Sequence, residues 1–316
     1  MWPWQRASLE RMAQVEHDAA QPLLYAGNLH VSGEWYVNTE AECLTSDPSW
    51  REARLCGAVL ADHAGTGKTA TVLRHCSACV TTAVPSSLTS RGTLIVVPLN
   101  LLPHWLAEVA RWCPSATVVQ MTRGKDARQH TMHDLLHADI VISTIQFLRG
   151  CKAYHELCED ALQAVTRFAR GDRRTRTGFA AFARCSGAKV VPVIEAVEWR
   201  RVVVDEMHEL FAHARLVKTL RTLRYKFLWG VTATPVTSGP AAEHLYALLE
   251  REKAHHPNLL HTLLSKCIVR SSSPDARPCV QRLRLVHMGA ADRDVVMSEA
   301  EDVPDMSLKT TCADAT

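Results

Sequence analysis

Short runs of aliphatic and β-branched residues alternate along this chain with longer stretches whose apolar positions recur at helical spacing. The runs Ala58–Ala61, Leu94–Val97, Asp139–Ile142, Val202–Val204 and Phe227–Val231 are almost continuously apolar, the pattern of strands buried on both faces. Helical patterns follow the first, second and last of them, at Lys68–Cys79, Leu102–Trp112 and Ala242–Glu250. Strand and helix in alternation predict an α/β fold: a central parallel sheet of five core strands flanked by helices, with each strand-to-helix turn opening on one edge. Residues 150–197 break this rhythm and predict an insertion ahead of the strand at Val202; it carries the basic cluster Arg167, Arg170, Arg173, Arg174 and Arg176. Residues 1–288 read as one domain, and 289–316, which become small, polar and acidic from Glu299 onward, read as a linker or tail.

Composition narrows the partners without naming them. A chain of 316 residues that is 47% hydrophobic can bury a large core. Thirty-six Lys and Arg against 33 Asp and Glu leave a formal charge of +3, so any nucleic-acid contact must come from local patches. The 11 cysteines are scattered and Met1–Met12 has no leader-like pattern, which predicts a reducing intracellular setting. The longest apolar run, Thr93–Leu106, is interrupted by Pro98, Asn100, Pro103 and His104, too broken for the roughly 20 residues of a membrane span.

Two segments carry chemistry. The strand ending at Ala61 runs into Asp62-His63-Ala64-Gly65-Thr66-Gly67-Lys68-Thr69 and then a helix, the setting of a phosphate-binding loop. Glycines let the backbone wrap phosphates, the helix N-terminus adds positive potential, Lys68 reaches the β- and γ-phosphates, and the Thr69 hydroxyl suits Mg2+. Asp62 stands where the general pattern has its first glycine. Downstream, Val202-Val203-Val204-Asp205-Glu206-Met207-His208 puts two carboxylates at the carboxyl end of an apolar strand, the edge where parallel sheets bind ligands. Asp205 is expected to hold Mg2+ through water, Glu206 to orient or deprotonate the attacking water, and His208 to relay the state of the γ-phosphate.

In their order these segments resemble the Swi/Snf family of helicase-like ATPases of superfamily two, of which the chain looks like the N-terminal RecA-like lobe. Cys56–Thr69 is similar to the family's first motif, which accounts for Asp62. Leu94–Pro98 with Leu101, Leu102, Trp105 and Glu108 resembles a block that touches the DNA backbone, and Asp139–Phe147 the block after it; the resemblance thus implies DNA contacts at Pro98, Asn100 and Thr144. Trp199–His208 looks like the Asp-Glu-x-His box, and Trp229–Pro235 like the motif that couples ATP state to DNA grip through Thr232, Ala233 and Thr234. Trp2-Pro3-Trp4-Gln5 is similar to the adenine-reading segment, implying that Gln5 contacts the base; Lys266–Arg270 resembles the segment closing the lobe. Departures are His63 and Ala64 for Glu-Met, Met207 for Ala, Asn100 for Ser, and Thr237-Ser238 for Gln-Asn.

The resemblance implies ATP and Mg2+ as cofactors, double-stranded DNA as partner, a nuclear setting, and work in chromatin remodelling or DNA repair. Such motors hold ATP between two RecA-like lobes, and the second supplies an arginine finger worth about a thousandfold or more in rate. This chain alone is therefore expected to bind ATP and hydrolyse it very slowly. The arginines of the insertion, Arg173 and Arg174 among them, are candidates for tracking phosphates. Two rivals stand beside the motor: a degenerate scaffold that binds nucleotide or DNA without turnover, and a P-loop enzyme of another kind such as a kinase. Cys76 and Cys79 have ligand-like spacing but no second pair completes a site and they read as buried thiols; His130, His133 and His137, with Cys151, His155 and Cys158 beyond, offer zinc ligands but read first as a polar helix face.

Overall fold

The structure is a computed structural model that describes residues 1–21, 23–38, 41–77, 88–156, 158, 192–211, 214–234, 244–245, 248–249 and 267–271. Elements are numbered over these residues. The chain divides after Ser273, and every described residue belongs to the first unit. The predicted helix at 242–250 lies largely outside the described residues, and so do Arg173, Arg174, Pro235 and the tail.

A 16-residue helix, α1 (Pro3–Asp18), opens the chain. Five short strands follow: β1 (Leu23–Ala26), β2 (Leu29–Ser32), β3 (Trp35–Asn38), β4 (Cys43–Thr45) and β5 (Trp50–Ala53). They pair antiparallel, β1 with β5, and β2 with β3 with β4. Next come β6 (Gly57–Leu60), α2 (Lys68–Ser77), β7 (Thr89–Val97), α3 (Leu102–Trp112), β8 (Val118–Met121), α4 (Gly124–Gln129), α5 (Met132–His137), β9 (Ile140–Thr144) and α6 (Ile145–Gly150). After the insertion stand β10 (Glu198–Asp205), α7 (Met207–Phe211), α8 (Ala214–Leu220), β11 (Arg224–Val231) and β12 (Ile268–Val269).

Seven strands form one parallel sheet in the order β12-β6-β11-β10-β7-β9-β8. The five strands read from the sequence are its five central ones, and the edges β12 and β8 complete it. Leu60, Leu94–Val97, Val141, Ile142 and Val202–Val204 are all fully buried, each such aliphatic side chain contributing about 1.5–3 kcal/mol relative to exposure. Because every strand is parallel, all carboxyl ends share one edge, and β11 alone separates the ends of β6 and β10.

Charged groups inside this core tie the helices to the sheet. Glu16 of α1 accepts from Arg201 Nε and Nη2 of β10 at 2.5 and 2.6 Å and from Trp229 Nε1 of β11 at 3.0 Å; His75 Nε2 of α2 lies 2.8 Å away. Burial alone would raise the Glu16 carboxyl, but the hydrogen bonds from His75 and Arg201 and their charge outweigh it and lower its pKa to about 2. The roots of the insertion are likewise fastened to one point: Tyr154 donates to Glu195 at 2.6 Å and its hydroxyl accepts from Ile194 N, all buried.

Candidate nucleotide site

The turn from β6 into α2 is shaped by two glycines. Gly65 and Gly67 adopt φ of +77° and +84°, a left-handed backbone that glycine takes without steric cost. A Cβ at Gly67 would sit 2.3 Å from Gln5 Nε2, so helix α1 lies hard against the loop. Trp4 Nε1 and Gln5 Nε2 both donate to the Thr66 carbonyl, at 3.2 and 3.0 Å. Lys68 begins α2, its ammonium held by the carbonyls of Asp62 and His63 at 2.9 and 3.1 Å. Burial lowers its pKa, opposed by the charges of Glu206, Asp62 and Asp205.

Asp62 does something different from what its place in the motif suggests. It is 1% exposed; one oxygen accepts from Ser8 Oγ of α1 and the other from the backbone of Ser271 beyond β12, both at 2.7 Å. Its carboxylate is spent on pinning the loop to α1 and the sheet edge, and only its backbone carbonyl reaches Lys68. Arg270 adds a second brace, donating to Ala61 O at 2.8 Å and to Ala233 O at 3.2 Å.

At the end of β10, Asp205 is buried and its Oδ2 accepts from Trp105 Nε1 at 2.6 Å. Burial raises its carboxyl pKa, and the indole hydrogen bond opposes the rise. Glu206 sits at φ +46°, a conformation that costs a side-chain-bearing residue of order 1–3 kcal/mol and clusters at functional sites. Its pKa is also raised, first by burial and then by Asp205. His208 Nδ1 lies 3.2 Å from Glu206 Oε2 and 2.8 Å from Thr232 Oγ1, and Thr232 Oγ1 in turn accepts from Thr234 N at 3.1 Å. Thr232 N donates to Leu60 O at 3.1 Å. The acidic turn, the Thr232–Thr234 segment and the phosphate-loop strand are thereby joined through one set of hydrogen bonds. Met207 fits here because its neighbour is Gly230: a Cβ on Gly230 would lie 2.1 Å from Met207 Sδ.

The residues expected to face DNA divide. Asn100 is exposed in the turn after β7, whereas Pro98 is buried and Thr144 is 1% exposed, its hydroxyl capping α6 through Phe147 N at 3.2 Å. Thr144 is thus occupied within the fold. Among the described residues no group of three or more His, Cys, Asp or Glu side chains could hold a metal; His133 and His137 merely stack on α5. No described helix is long and apolar enough to cross a membrane. Sequence reading gave no role to Glu16, His75 or Ser8, quoted Arg201 only as part of the Asp-Glu-x-His segment, and placed Trp105 in the block after β7 without its bond to Asp205.

Fold and loop define a P-loop lobe of the RecA-like kind. Residues 4–288 match the SNF2-related domain, and the chain belongs to that family. It is 26% identical over 208 residues to an ATP-dependent helicase of Schizosaccharomyces pombe, covering 61% of this chain and 17% of that protein. Over 71 residues it is 37% identical to the Drosophila melanogaster homolog of SWI/SNF-related matrix-associated actin-dependent regulator of chromatin subfamily A containing DEAD/H box 1, covering 22% of this chain and 8% of that one. The chain thus spans less than a fifth of either relative. The Sulfolobus solfataricus SWI2/SNF2 ATPase core in complex with dsDNA superposes with a TM-score of 0.43 at 19% identity, over 68% of this chain and 40% of that chain.

Proposed function

We propose that this chain is the ATP-binding lobe of a DNA-dependent translocase that remodels protein–DNA complexes, acting on duplex DNA in the nucleus. The observation that supports this reading most is the joining of Glu206 to the Thr232–Thr234 segment through His208, and of Thr232 to the phosphate-loop strand at Leu60. The site fits Mg-ATP: the two left-handed glycines leave a backbone cradle, and a hydroxyl with a carboxylate is the hard oxygen set that Mg2+ takes. Thr69 and Asp205 would hold the cation, which when bound neutralises phosphate charge.

The remaining roles belong to the chain itself. Lys68, at the start of α2, meets the terminal phosphates. Glu206, at the carboxyl edge beside Asp205 and His208, accepts the proton of the attacking water. His208 passes the position of Glu206 to Thr232, and so to the segment that senses DNA. Gln5, beside the loop, reads the adenine edge, and Asn100 contacts the DNA backbone.

Turnover is the test. Supplied with a second RecA-like lobe, the chain hydrolyses ATP faster when duplex DNA is added, and Glu206→Gln abolishes hydrolysis while retaining nucleotide. Nucleotide binding with no turnover under these conditions would establish the scaffold instead; phosphate appearing on a small acceptor would make it a kinase.

A further inference from the structure

We propose that Trp105 is the positioning residue of the cation site: its indole N–H takes Oδ2 of Asp205 and so fixes how the carboxylate faces the metal. This rests on the nucleotide-site reading above.

Four observations carry it. Trp105 and Asp205 are both buried, and the bond between them, at 2.6 Å, is among the shortest made by any described tryptophan. The other buried tryptophans spend their N–H groups on structure: Trp199 on the Ile194 carbonyl, Trp229 on Glu16, which arginine already saturates. Lys68 acts on Asp205 through charge, with its ammonium bonded to loop carbonyls. Finally, β7 lies beside β10 with Val96 level with Val204, and α3 starts five residues past the end of β7, so the sheet itself sets the indole next to the carboxylate. A hydrogen bond to an ionised acceptor is stronger and more directional than a neutral one, and groups that orient a metal's ligands are typically worth 10- to 100-fold in metal affinity.

The consequence extends past the site. Helix α3 follows directly from the turn that exposes Asn100, so any shift of that turn against DNA would move the indole, and with it Asp205.

The test is binding of a fluorescent ATP analogue to the whole chain across a Mg2+ titration, with an EDTA arm, for wild type, Trp105→Phe and Asp205→Asn. Phenylalanine keeps an aromatic ring in the core and deletes the donor together with part of the indole's volume, which is why the Mg-free arm serves as the packing control. The expected result is Mg-free affinity within about twofold of wild type and a Mg2+ requirement raised roughly tenfold in Trp105→Phe, with the Mg2+ increment absent in Asp205→Asn. A role in packing alone would instead weaken both arms equally or change neither, and either outcome overturns the proposal. If Trp105→Phe does not fold, the wild-type indole N–H resonance serves: it should be displaced in Asp205→Asn and move when Mg2+ and ADP are added, and indifference to both overturns the proposal. A wild type with no Mg2+ dependence removes the nucleotide-site reading and this inference together, whereas loss in Asp205→Asn alone removes only the inference.

Discussion

Glu16 and Asp205 are both acidic side chains buried in the same lobe, one where α1 crosses the sheet and the other at its carboxyl edge, yet their surroundings are opposite. Glu16 is surrounded by Arg201, His75 and Trp229, and its pKa falls to about 2. Asp205 has the Trp105 indole and a neighbouring backbone N–H, and its pKa rises. A carboxylate whose donors outweigh its burial is held ionised by the fold and is costly to remove; one whose burial outweighs its donors is ionised against the fold, the condition that recurs at functional sites. Buried acids can be sorted by that criterion before any function is assigned.

The sharpest way to break the comparison is Glu16→Ala. Removing the carboxylate from a buried arginine costs about 3–5 kcal/mol, a large share of the 5–15 kcal/mol typical of a domain, and urea denaturation should show it. Acid titration gives the same effect without mutation. The Glu16 pKa is depressed from 4.5 to about 2, so its stabilisation of about 3 kcal/mol is complete above pH 4.5 and is lost as pH falls toward 2. Glu16→Gln should flatten that limb of the stability profile.

Asp205→Asn should do the reverse. A raised folded pKa means the ionised form is disfavoured by folding at neutral pH, a penalty relieved only as pH falls below that pKa. The variant should therefore unfold at the same or higher denaturant concentration than wild type while losing Mg-dependent nucleotide binding. A clear loss of stability would place Asp205 with Glu16 as a structural group. The smallest effect is expected from Thr232→Val, which keeps the volume and deletes the hydroxyl between His208 and Thr234. It should cost about 1 kcal/mol in stability, leave nucleotide affinity unchanged, and reduce the stimulation of turnover by DNA.

The central strands were legible because parallel strands buried on both faces are apolar at every position, and the two chemical segments because each needs fixed residue types at a fixed sheet edge. The edge strands were harder. Val118–Met121 alternates a half-buried or exposed position with a buried one over only four residues, and Ile268–Val269 is two residues long, too little for periodicity to register. The antiparallel strands between Leu23 and Ala53 are short and partly exposed, with Trp35, Leu44 and Trp50 more than half exposed, so they present no continuous apolar run. Glu16, Arg201 and His75 look in sequence like surface residues; only the tertiary fold brings together positions as far apart as 185 residues. Asp62 shows the same limit from the other side. Its motif places it in the nucleotide loop, and the contacts that occupy it come from Ser8 and Ser271, the latter 209 residues away.

The most direct measurement is equilibrium binding of a fluorescent ATP analogue in the presence of Mg2+ to wild type and to Lys68→Ala. Lys68 lies at the start of α2 with Glu206 and Asp205 as its charged neighbours, and a charge-assisted hydrogen bond to phosphate is worth about 1.5–3 kcal/mol. Saturable binding by wild type, weakened about tenfold or more in Lys68→Ala, is the predicted result. Equal binding by both proteins, or none by wild type, would contradict it.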